Sequence, residues 1–61
     1  MPLVIVKMLE GRNVEQKRGL AAAITEAVVK HTGAAADQVD VIIEDYPRTN
    51  WAKAGTLYAD K

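Results

Sequence analysis

Leu3-Val4-Ile5-Val6 is apolar without alternation. A short unbroken run rich in β-branched residues reads as a strand covered on both faces. Lys7, Met8 and Leu9 are candidates to extend it, and Glu10-Gly11-Arg12 reads as a turn in which Gly11 is free to take positive φ. The period then changes. Leu20, Ile24, Ala27, Val28 and His31 recur at helical spacing and predict one apolar stripe, with Lys17, Arg18, Thr25, Val29 and Lys30 largely outside it. Asn13 reads as the N-cap, with Gln16 three residues on as a variant capping box and Glu15 adding first-turn negative charge. Gly33 is a natural stop after Thr32, with Lys30 and His31 complementing the dipole in the last turn.

Ala34 to Gln38 form a short connection with room for one helical turn. Val39 to Glu44 reads as a second strand, and Pro47, which cannot donate to a ladder, marks a point by which it has ended. Asn50 to Gly55, around Trp51, predicts a turn or a small hairpin. The order strand, helix, strand implies parallel strands joined by a right-handed crossover. The predicted class is α/β (α+β), a single β-α-β domain over residues 1–61. Two strands and one helix do not make a stable sheet alone. Edge pairing between protomers would give a four-stranded sheet with two helices on one face. The other face would still need cover, which predicts a higher assembly.

Composition sharpens that expectation. The chain has 61 residues, 49% hydrophobic and 26% charged, the balance of a globular domain and not of a disordered one. At this size one core rarely supplies more than ~3–5 kcal/mol. No cysteine is present and histidine occurs once, so disulfides are excluded and a structural metal is not expected. Oligomerisation is the remaining remedy. Zero formal net charge gives no electrostatic grip on nucleic acid. No apolar run approaches the ~20 residues that span a bilayer, and Leu3–Val6 is too short for a signal-peptide core. The expected location is cytoplasmic.

Pro2 follows Met1 directly. If Met1 is removed, as expected before a small residue, the Pro2 nitrogen becomes a free secondary amine able to accept and release a proton. With Pro2 stand K-M-L-E-G-R at 7–12, E-Q-K-R at 15–18 and V-I-I-E at 41–44. In this combination the chain resembles the 4-oxalocrotonate tautomerase family, without gaps from Pro2 to about Gly55. The resemblance implies β-α-β protomers that pair into dimers, and three dimers forming a hexamer. It implies a cofactor-free and metal-free site in which an amino-terminal proline is the general base. Arginines and an aromatic side chain complete that site, partly from neighbouring subunits. The reaction implied is isomerisation of enols or dienols of 2-oxo acids, so the expected partners are a small carboxylate substrate and further copies of the chain. Carried over by position, Pro2 is the base, Arg12 the carboxylate clamp and Trp51 the apolar wall, where the family has phenylalanine.

The chemistry asks for these residue types. One group that takes a proton from an enol and returns it to carbon suffices, and it works best with a pKa near ambient pH. A free α-amino group starts near ~8; burial and a nearby cation pull it down. Trp51 could supply the first effect and Arg12 the second. Arg12 could also hold a carboxylate through two parallel hydrogen bonds.

The departure is Asp40, which stands where 4-oxalocrotonate tautomerase has a second active-site arginine. A carboxylate there repels an anionic substrate and favours a protonated Pro2. Arg48 or Lys53 is then a candidate for the missing cation. The alternative is a hydratase or dehalogenase of unsaturated acids in which Asp40 positions water and Pro2 is the acid. A second alternative is a non-catalytic self-assembling module. The plainer readings are a turn residue for Arg12, a core or interface anchor for Trp51, and a solvent-facing Asp40. Glu44 and Asp45 read as a solvated pair at the strand end.

Overall fold

The structure, a computed structural model, describes residues 2–61; the expected loss of Met1 concerns a residue outside that range. The chain runs through strand β1 (Leu3–Leu9), helix α1 (Val14–Thr32), a 3-10 turn (Ala36–Gln38) and strand β2 (Asp40–Tyr46). A second 3-10 turn (Arg48–Asn50) leads into a small hairpin of β3 (Ala52–Lys53) and β4 (Thr56–Leu57), and a last 3-10 turn (Tyr58–Asp60) follows. β1 and β2 are parallel, in register from Leu3 opposite Asp40 to Leu9 opposite Tyr46. β3 and β4 are antiparallel.

The helix ends are fixed by the residues expected to fix them. The Gln16 backbone N–H donates to Asn13 Oδ1 at 2.8 Å, and the Asn13 N–H donates to Gln16 Oε1 at 2.9 Å. Two otherwise unpaired donors are thereby satisfied. At the other end Gly33 takes φ 77° and its N–H donates to the Val29 carbonyl at 3.0 Å. That left-handed conformation strains any residue with a Cβ.

Strand alternation assigns the sheet faces. Lys17 of α1 pairs with Asp45, so Asp45, Ile43 and Val41 lie on the helix side of β2. The register adds Val4, Val6 and Met8 from β1. The opposite face carries Leu3, Ile5 and Lys7 from β1, and Asp40, Ile42, Glu44 and Tyr46 from β2. Among the described residues nothing covers its apolar end: Leu3 is 55% exposed, Ile5 48% and Ile42 46%. The first strand is thus covered on one face only within the protomer.

No described residue reaches full burial. The radius of gyration is 14.5 Å, against ~10.5 Å for a compact domain of this length. The chain has the outline of a slab, 43 × 24 × 14 Å.

Two details differ from the sequence reading. β2 starts at Asp40, one residue later than predicted, and runs on through Asp45 and Tyr46. Both polar positions have partners there: the Asp45 carboxylate pairs with Lys17 on one face, and the Tyr46 hydroxyl donates to Glu44 on the other. On α1, Ala27 and His31 are exposed, while Lys17, Thr25 and Val29 are half-buried. A 19-residue helix is about 28 Å long and a seven-residue strand about 23 Å, so the helix outruns the sheet and its last turn is left uncovered.

Candidate functional site

The candidate residues fall at two ends of the sheet. At the start of β1 the Asp40 backbone N–H donates to the Pro2 carbonyl at 3.0 Å. This bond extends the parallel ladder by one step and holds Pro2 beside the first residue of β2. Pro2 is half-buried and Asp40 is exposed. The crossover therefore joins the candidate base and the residue that departs from the family pattern, 38 positions apart in sequence.

The other candidates gather past the end of β1. Arg12 is exposed in the turn after Gly11, whose φ is 129°. The Glu10 N–H donates to the Tyr46 carbonyl at 2.9 Å and fixes the start of that turn against β2. Trp51 is half-buried where the second 3-10 turn meets the hairpin. Its ring meets Tyr46 edge-on at 6.0 Å and Tyr58 at 6.3 Å, the arrangement aromatic quadrupoles favour. The Trp51 carbonyl accepts from the Tyr58 N–H at 2.8 Å, which closes the loop around the indole. Arg48 is exposed in the same turn. β1 spans about 23 Å, farther than a side chain reaches, so one protomer does not bring Pro2 to Arg12.

A cavity of about 320 Å³ opens beside Trp51, lined by Lys7, Tyr46, Asn50, Trp51 and Ala52. That volume is at the small end of the range for ligand sites. The Tyr46 hydroxyl donates to Glu44 Oε2 at 2.6 Å, and Lys7 Nζ lies 3.9 Å from the same oxygen. The hydrogen bond to Glu44, burial and the Glu44 charge together hold the Tyr46 phenol above its ordinary pKa of 10.0. Sequence reasoning did not single out Lys7 or Tyr46. The signal was present in strand parity: Glu44 and Tyr46 are two apart and share a face, and Lys7 is the register partner of Glu44. Glu44 and Asp45 are accordingly not a solvated pair. One faces Lys7 and Tyr46 on the open side, and the other faces Lys17 on the helix side.

A larger depression of about 790 Å³ runs along the helix flank past Ala21, Ala22, Thr25 and Val29, with Glu26 and Lys30 the charged members of its lining. Small and β-branched side chains dominate it, which suits packing more than chemistry. Among the described residues no group of three His, Cys, Asp or Glu side chains could hold a metal ion, and no helix is long and apolar enough to cross a membrane.

A family profile described as "Tautomerase enzyme" matches residues 2–61. The chain is 48% identical over 60 residues to the 2-hydroxymuconate tautomerase of Bacillus subtilis (strain 168), covering 98% of this chain and 97% of that protein. It is 46% identical over 61 residues to a probable tautomerase of Bacillus cereus, covering both fully. Its fold superposes on YwhB, a homologue of 4-oxalocrotonate tautomerase, with a TM-score of 0.95, 47% identity and 98% of each chain covered. It also superposes on a chain of the heterohexamer 4-oxalocrotonate tautomerase of Chloroflexus aurantiacus J-10-fl. There the TM-score is 0.93 and identity 37%, with 98% of this chain and 97% of that one covered.

Proposed function

The chain belongs to the tautomerase enzyme family and is an isomerase, and on that premise we propose that Pro2, freed of Met1, is the general base of a cofactor-free reaction on enols of 2-oxo acids. The Pro2 nitrogen takes the enol O–H proton, the electron pair moves through the conjugated chain, and the same nitrogen delivers a proton to the distant carbon. No atom is gained or lost and nothing is oxidised. What carries the reading is the placement of Pro2: half-buried, at the head of β1, with its carbonyl anchored by Asp40.

The separation of Pro2 from Arg12 is met by symmetry. Identical chains pair most often about a two-fold axis. A two-fold pairing of free sheet edges runs antiparallel, so the head of one β1 lies beside the tail of the other. Pro2 of one copy then approaches the Arg12 and Trp51 end of its partner. Arg12 holds the substrate carboxylate and Trp51 walls the conjugated chain. Leu3, Ile5 and Ile42 remain on the open face after that pairing, which supports a further layer of association and the homohexamer that the family resemblance implies.

The test is turnover of 2-hydroxymuconate, the substrate class of the Bacillus subtilis relative. Pro2→Ala should lower kcat by about 10²–10⁴-fold, the usual contribution of a positioned acid–base group. Activity within twofold of the parent would end the proposal. The Pro2–Asp40 ladder contact favours one second reading, in which Asp40 positions water for hydration or dehalogenation of an unsaturated acid. Asp40→Asn would then abolish water addition and spare ketonisation.

A further inference from the structure

With a carboxylate at position 40, the site has one assigned cation, Arg12, for an anionic substrate. Lys7 is the only charged residue among the five that line the Trp51 cavity, and neither Arg48 nor Lys53 lines it. The Lys7 side chain is 62% exposed, and its ammonium stands 3.9 Å from Glu44, at the outer limit of an ion pair. That Glu44 oxygen already accepts the Tyr46 hydroxyl at 2.6 Å. The ammonium therefore keeps donors free toward the cavity, beside two aromatic rings and the Asn50 amide.

We propose that Lys7 binds the second carboxylate of a conjugated dicarboxylate substrate and sets the preference for it over a monocarboxylate. The unsaturated chain lies along Trp51 and Tyr46, one terminal carboxylate meets Lys7, and the other meets Arg12. The assignment rests on the tautomerase reading of Pro2 and Arg12. Glu44 and Tyr46 act as the tether: the phenol occupies the carboxylate, so Glu44 orients Lys7 without fully neutralising it.

Muconate and sorbate test this, because they share a six-carbon diene and differ by one carboxylate. Trp51 is the chain's only tryptophan, so its fluorescence reports binding without turnover. Hydrogen bonds to charged groups contribute enough for about a tenfold preference. The parent protein should bind muconate about tenfold more tightly than sorbate. Lys7→Met should bring that ratio to about one with sorbate affinity unchanged, and Lys7→Arg should keep it. An unchanged ratio in Lys7→Met, or equal weakening of both ligands, overturns the assignment. Pro2→Ala separates the two ideas. If it keeps turnover, the Pro2 reading fails, while the muconate-to-sorbate ratio still reports on Lys7.

Discussion

Ile42→Asp is the perturbation that presses hardest on the architecture. Ile42 lies on the open sheet face beside its register partner Ile5 and is 46% exposed. Fully burying a large aliphatic side chain contributes about 1.5–3 kcal/mol. Leu3, Ile5 and Ile42 are each about half exposed, so covering them adds roughly 2–5 kcal/mol per protomer by the same measure. That is as much as the ~3–5 kcal/mol a core of this size supplies alone. An aspartate at position 42 forfeits its share and asks the interface to desolvate a carboxylate, which costs several kcal/mol more. The assay is sedimentation velocity at micromolar concentration, paired with denaturant unfolding over a hundredfold range of protein concentration. The parent should sediment as an oligomer, with an unfolding midpoint that rises with concentration, because association stabilises by mass action. Ile42→Asp should be dissociated and largely unfolded, while Asp37→Asn, on an exposed turn, should match the parent. A parent that is monomeric, folded and concentration-independent would refute the reasoning, since no described residue gives it a buried core.

Asn13→Ala removes a two-way cap and should lower stability by about 1 kcal/mol per chain, read as a shift in denaturant midpoint with unchanged slope. Tyr46 should ionise above pH 10.0 in an ultraviolet titration. Its raised value adds stability that is complete below the unfolded phenol's pKa and is lost as pH climbs through the folded one; Tyr46→Phe should remove that part of the alkaline profile. Retaining Met1 turns the Pro2 nitrogen into a tertiary amide with neither a proton nor a basic lone pair, so unprocessed protein should show no more activity than Pro2→Ala, whose trimmed terminus still carries a primary amine, with N-terminal mass as the check.

The local chemistry of the chain was legible because it depends on near neighbours. The Asn13–Gln16 box and the Gly33 stop rest on contacts within a few residues, and the β1 run on its unbroken apolar composition; each stands where its sequence points. β2 runs past its expected end at Glu44 through Asp45, which finds a cation distant in sequence, Lys17, while Glu44 itself faces Lys7. Periodicity cannot show a partner 28 or 37 positions away. The same limit explains the site. Pro2, Arg12 and Trp51 emerged from the family pattern, but their division between opposite ends of one sheet follows from strand length and register. The Lys7–Glu44–Tyr46 cluster needed that register before its members could be seen as neighbours.

The uncovered face of the sheet bears on how this gene can vary. In a symmetric particle one codon change is copied into every chain and meets itself across each axis. A modest defect at Leu3, Ile5 or Ile42 is therefore felt by the chain that carries it and by the neighbour that would cover it, whereas the same change on a solvent-facing flank affects its own chain alone. Natural variation should be scarcer on this exposed patch than its solvent accessibility alone would suggest.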